Sequence, residues 1–214
     1  MMENRKGPEK AENYDRIARE VFLPIFPLIA REALGFYGKA SGKCLDVGSG
    51  GGLFGYFILL LSEMHVTFLD CAEDAIEVCR ERGLAWGLDD RSDYVIADVH
   101  DMSAIPDGSY DLVVSRGSIP FWGSGEELVQ AFREIERVLA PGGTALIGGS
   151  LGTSRMSGAI TKKMRERNPD WQPPETRDGG CVTGYDKREK LLNEAGIRCK
   201  AEITDCGHWI LIRK

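Results

Sequence analysis

In the segment 45–52, LDVGSGGG, an apolar run carries an acid, Asp46, at its end, and glycine then occupies every second position at Gly48, Gly50 and Gly52. Glycines let the backbone turn sharply and let a ligand come close where a side chain would block it. A β-rich run at 43–47 precedes the loop and a helical pattern at 53–63 follows it. The loop therefore reads as the first strand–turn–helix step of an open α/β sheet, which takes its ligand at the carboxyl ends of the strands.

The chain then repeats that step. Apolar runs at 65–69, 94–97, 111–114 and 144–147 alternate with helical patterns at 72–84 and 126–139, the latter with Leu128, Val129, Phe132, Ile135, Val138 and Leu139 at helical spacing. Such alternation implies a parallel sheet covered on both faces. The strand patterns at 197–203 and 208–212 are separated by a turn too short for a parallel crossover, so one of them must run antiparallel to its neighbour. Residues 152–185 interrupt the regularity with glycines, the Trp171-Gln172-Pro173-Pro174 segment and a basic stretch at 162–167. A connection this long reads as a lid insertion or as a solvated helix with a surface loop. At the start, 13–34 is helical in composition but carries Pro24 and Pro27, which should break it between residues 22 and 28 and let it lie over the carboxyl edge. One domain, 1–214, is expected: cap helices at 1–40, a ligand-binding core at 41–150, the insertion at 151–185, and a last helix and strands at 186–214.

Composition narrows the partners. The chain's 27 Lys and Arg against 33 Asp and Glu leave a net charge of −6, so no general attraction to nucleic acid is expected. No apolar stretch reaches the ~18 residues of a membrane span, and the charged start MMENRKGPEKAEN lacks the apolar core of a secretory signal, so a soluble, cytoplasmic protein is expected. Six cysteines, Cys44, Cys71, Cys79, Cys181, Cys199 and Cys206, contain no close pair and read as reduced thiols with no metal. The functional alternative is a soft-metal cluster built from Cys181, Cys199 and Cys206.

The loop also speaks to its ligand. A dinucleotide loop has the spacing GxGxxG, and here the third glycine position holds Leu53. Asp46 would repel a pyrophosphate and attract an ammonium or sulfonium. Two further acids, Asp70 and Asp98, end the second and third strand patterns, where one can accept hydrogen bonds from ribose hydroxyls and the other from an adenine amino group. Singly, such acids serve as helix caps or solvated turn residues. Three at successive strand ends beside a glycine loop form a binding row.

These residues resemble the class I S-adenosylmethionine-dependent methyltransferases. The resemblance runs over about 43–212 and rests on LDVGSGGG, Asp70, the Ala97-Asp98 step, YDLVVS at 110–115 and VLAPGGTALI at 138–147. It implies an α/β, Rossmann-like, doubly wound sheet of seven strands in the order 3-2-1-4-5-7-6, with strand 7 antiparallel. It also implies S-adenosylmethionine as cofactor: Asp46, Gly48, Ser49, Gly50 and Gly52 along the methionine part, Asp70 with Cys71 at the ribose, Asp98 with Val99 at the adenine, and Ser115 with Arg116 at the methyl-donor end. The Asn13-Tyr14-Asp15 start resembles the YDxxA opening of the ubiquinone/menaquinone-type small-molecule methyltransferases, with Tyr14, Asp15 and Ala18 matching, which implies Tyr14 over the cofactor.

Methyl transfer from a sulfonium is an in-line displacement that alignment and exclusion of water can accelerate without a dedicated catalytic group. His100 and His208 are candidate bases, the alternative for each being a solvated or core-edge imidazole, and His65 is read as structural. The segment 116–122 sets Arg116 beside Phe121 and Trp122: an acceptor site in which Arg116 takes an acidic group and the rings form a wall, or a loop that covers the core. Ser115-Arg116-Gly117-Ser118 stands where amide-methylating branches carry Asn/Asp-Pro-Pro-aromatic, which favours a small-molecule acceptor. The rival readings are a non-catalytic S-adenosylmethionine or S-adenosylhomocysteine-binding module and an NAD(P)-type oxidoreductase.

Overall fold

The computed structural model describes residues 8–119, 125–172 and 181–214. Seven strands, β1 (Ser41–Val47), β2 (Glu63–Asp70), β3 (Ser92–Ile96), β4 (Tyr110–Arg116), β5 (Leu139–Gly149), β6 (Cys199–Ile203) and β7 (His208–Arg213), form one sheet. Its order is β3-β2-β1-β4-β5-β7-β6, as expected. Only β7 is antiparallel to its neighbours, because the connection after Ile203 is too short to return to the other edge.

The chain winds outward from β1 in both directions, so the helices divide between two faces. Before β1 come α1 (Pro8–Ile17) and α2 (Phe26–Tyr37); α3 (Leu53–Leu61) and α4 (Glu73–Trp86) follow β1 and β2. Phe26, Ile29, Phe54, Ile58, Ile76 and Cys79 pack one face against Cys44, Val66, Val114 and Trp209. On the other face α5 (Gly125–Val138) and α7 (Cys181–Glu194) cover Leu45, Val113, Ile147 and Ile210. Strands covered on both sides alternate between two apolar surfaces, which is why their sequences read as unbroken apolar runs.

Two boundaries differ from the sequence reading. The turn expected at 141–143 lies inside β5: Tyr110 pairs with Leu139 but Leu112 pairs with Thr144, so 140–143 bulge out of the ladder. The insertion opens with a regular helix, α6 (Ser154–Arg167), and α7 begins at Cys181 rather than near 186. At the N-terminus the break falls where the prolines require it: a π turn at Ala18–Phe22, a 3-10 turn at Leu23–Ile25, then α2. Among the described residues no helix is long and apolar enough to cross a membrane.

Candidate functional site

The glycine loop leaves β1 between β2 and β4, where the winding reverses, the position at which open α/β sheets hold ligands. The backbone N–H groups of Gly48 and Ser49 both donate to Leu69 O, at 2.8 and 3.0 Å, and bend the loop across the end of β2. Gly50 has φ 52°, and a Cβ there would meet nothing within 4 Å among the described residues. A Cβ on Gly48 would lie 2.6 Å from Ser118 Oγ. The loop is thus packed on its Gly48 side and open over Gly50. Ser49 Oγ is buried without a partner among the described residues, and Leu53, in the third-glycine position, is buried in the core.

Asp46 is 2% exposed and accepts a 2.9 Å bond from Gly55 N in the first turn of α3. Burial pushes its carboxyl up to about 7; the Gly55 bond opposes that shift and the charge of Asp70 adds to it. The helix terminus that would face a pyrophosphate is therefore held by the protein's own carboxylate. Asp70 accepts from Gly50 N at 2.9 Å and from Ala72 N at 3.0 Å, one bond to each oxygen, leaving lone pairs on both for hydroxyl groups. Asp98 accepts from His100 N at 2.9 Å and from or with His100 Nδ1 at 2.6 Å. Val99 packs on the core below it, and Cys71 is exposed beside Asp70. The three acids stand at or just beyond the ends of adjacent strands in a staggered row, since Asp46 is in register with Phe68 and Asp70 with Ile96, each two positions short of the next acid.

Two residues that the sequence reading did not assign hold the loop from outside. Arg82, on α4, pairs with Asp15 of α1 at 2.7 Å, with side chains 8% and 7% exposed, and also donates to Gly51 O. Arg19 reaches the other Asp15 oxygen at 2.7 Å. Tyr14 is 70% exposed, so it is Asp15 of the Tyr14-Asp15 pair that reaches inward. The readable signal was Arg82 itself, a cation on the buried stripe Ala75, Ile76, Cys79, Gly83 of α4.

The end of β4 forms the other half. Ser115 is fully buried, its Oγ 2.5 Å from Ser118 Oγ, and Ser118 donates to Val47 O at 3.3 Å. Ser118, also unassigned from sequence, thus ties this loop to the glycine loop. Arg116 points to the opposite face, with its guanidinium 4.6 Å from the Phe22 ring and 5.6 Å from that of Phe26. It donates from Nη2 to Ser150 O at 2.8 Å, and its Nε is buried without a partner among the described residues. Burial lowers its pKa to about 10, so it stays charged at neutral pH. Phe121 and Trp122 lie outside the described residues.

The histidines separate. His208 pairs in register with Gly149 at the carboxyl end of β5, its ring 5.8 Å from that of Tyr185. His100 follows β3, three strands from β4 or about 14 Å. His65 meets Asp93 at 2.8 Å at the opposite, amino edge. Five cysteines are free thiols; the side chain of Cys181 lies outside the described residues, among which no cluster could hold a metal.

Over the edge, the N-terminal turns and the insertion share an apolar cluster: Val21, Ile25, Leu151 and Ile160 with Met156 and Trp171. Pro24 has no N–H for Glu20 O, four residues back, and Lys163 Nζ donates to that carbonyl instead at 3.2 Å. Arg167 pairs with the Glu20 carboxylate. Part of the basic stretch therefore binds the cap.

Comparison with known proteins agrees with this geometry. The methyltransferase domain family matches residues 45–147. The crystal structure of a Methanococcus maripaludis protein assigned as an S-adenosyl-L-methionine-dependent methyltransferase superposes with a TM-score of 0.89 and 34% identity, covering 100% of this chain and 97% of that one. The 27-O-demethylrifamycin SV methyltransferase of Amycolatopsis mediterranei is 27% identical over 159 residues, 74% of this chain and 55% of the relative. A tRNA (carboxymethyluridine(34)-5-O)-methyltransferase of Macaca fascicularis is 32% identical over 104 residues, 48% of this chain and 14% of the relative. The chain thus spans about half, or much less, of these curated relatives.

Proposed function

The chain belongs to the class I S-adenosylmethionine-dependent methyltransferases, and from that premise we propose that it methylates a small-molecule acceptor held over the carboxyl ends of β4 and β5. The observation that carries the cofactor assignment is Asp46, a buried carboxylate at the α3 terminus whose pKa of about 7 a neighbouring cation would relieve. The loop fits the same group: Gly50 is open, Ser49 Oγ waits for a partner, and Asp70 keeps lone pairs for a ribose. Bound S-adenosylmethionine supplies an electrophilic methyl group and leaves as a neutral thioether.

In this reading Asp46, Gly48, Ser49, Gly50 and Gly52 hold the methionine part, Asp70 and Cys71 the ribose side, and Asp98 and Val99 the adenine. Ser115 and Ser118 set the β4 loop against the glycine loop. The N-terminal cap, with Tyr14 at its outer surface, and α6 exclude water from the transfer. His208, on the β5–β7 side, is the better placed of the two histidines to take a proton from the acceptor, whereas His100 stays with Asp98. A small acceptor is supported by the similarity to the rifamycin enzyme and by the net charge of −6, which disfavours a polyanion.

Calorimetry tests the proposal. S-adenosylhomocysteine should bind at micromolar or better affinity and NAD should give no heat; the reverse result would refute it.

A further inference from the structure

Resting on the methyl-transfer reading, we infer that Arg116 anchors a carboxylate of the acceptor, so that the small molecule methylated here is an organic acid gripped beneath Phe22 and Phe26. A guanidinium withdrawn from water needs an anion. The other arginines tied into this region have theirs: Arg82 and Arg19 share Asp15, and Arg167 takes Glu20. Arg116, in a chain with more acids than bases, meets no carboxylate among the described residues. Its recorded partners are two phenyl faces and one carbonyl, Ser150 O. Among the described residues one of its five N–H donors is engaged, Nε is unpaired, and the residue keeps some exposure at the sheet edge.

The position suits an acceptor. Arg116 is in register with Gly148 of β5 and Trp209 of β7, on the side of the sheet edge that the cap covers. None of its recorded contacts is with the glycine loop, where the cofactor's own carboxylate belongs. One planar monocation, on whose charge no second cation acts among the described residues, matches a carboxylate, which it can take through two parallel bonds, better than a phosphate dianion. The rival explanation is a structural clamp in which Arg116 merely holds Phe22 and Phe26 to Ser150.

The experiment compares wild type with Arg116→Met, whose apolar stem fits the same aromatic slot. Calorimetry should give S-adenosylhomocysteine affinities that agree within about threefold. The unliganded variant should melt at the wild-type temperature or above it, because an unpaired buried cation is removed. With saturating S-adenosylhomocysteine, millimolar benzoate, phenylacetate or indole-3-acetate should raise the wild-type melting temperature more than the matching primary amides, and should not raise that of the variant. A tenfold or greater loss of S-adenosylhomocysteine affinity would assign the cation to the cofactor's carboxylate and overturn the inference. So would a variant that melts several degrees lower yet still responds to the acids, or a wild type that does not distinguish acids from amides. Failure of wild type to bind S-adenosylhomocysteine would instead overturn the methyl-transfer reading beneath it.

Discussion

Buried at the end of β1 with Gly55 N as its partner, Asp46 has its carboxyl raised from the usual carboxylate range to about 7. The folded state therefore holds a proton on Asp46 that the unfolded chain has already released. This group's contribution to stability falls as pH rises from about 4 to 7. Between pH 5 and 8 wild type should lose about 2–3 kcal/mol more than Asp46→Asn, from linkage; urea midpoints at the two pH values check it, and parallel losses would show that Asp46 titrates normally. Asp70 does two jobs, since its oxygens already accept from Gly50 and Ala72. Asp70→Ala should weaken S-adenosylhomocysteine binding by about 1.5–3 kcal/mol, the range for hydrogen bonds to a charged group. An unchanged calorimetric affinity would leave Asp70 as a strand-end residue only.

The N-terminal cap is joined to α4 by a buried ion pair and to α6 by an apolar cluster with Glu20 at its rim. Removing one partner of a buried pair strands the other charge, so Asp15→Ala should cost about 3–5 kcal/mol in urea unfolding. The double variant with Arg82→Met should recover part of that loss; strictly additive losses would show the two are uncoupled. If cap and insertion enclose the transfer, ligand should quiet them together. Hydrogen exchange should slow in both 14–25 and 154–171 when S-adenosylhomocysteine binds, and equal exchange with and without it would remove the lid from the mechanism. The glycines and Trp171-Gln172 of the insertion left its two readings, a lid or a solvated helix with a surface loop, undecided in the sequence, and the structure places a helix at Ser154–Arg167. The helix gains its order from Val21 and Ile25, more than a hundred positions earlier, rather than from its own weakly apolar face.

For the molecule as a whole, a ligand that binds only the folded state stabilises it by mass action. S-adenosylhomocysteine at a hundredfold its dissociation constant adds about 2.7 kcal/mol, or roughly 5–10 °C in melting temperature for a domain of this size; a shift seen equally with NAD would contradict the assignment. The sheet was legible because its information is local. Doubly buried strands are apolar at every position, helices repeat at 3.6, and the short link between Ile203 and His208 permits only antiparallel pairing. The glycine loop and the acids at successive strand ends were legible for the same reason, each being tied to a strand terminus. Sequence patterns by themselves thus determined the elements, their alternation and the antiparallel last pairing, while the strand order and the cofactor came with the resemblance to the methyltransferases. Only the tertiary structure decided which side chains meet: Asp15 and Arg82 across 67 positions, Glu32 and Trp209 Nε1 across 177. The same holds for Arg116 under Phe22 and for His100 and His208, which lie on opposite sides of the glycine loop along the carboxyl edge. Periodicity fixes which face of an element is apolar, but the partner of a polar side chain depends on how separate elements pack, and no local pattern encodes that.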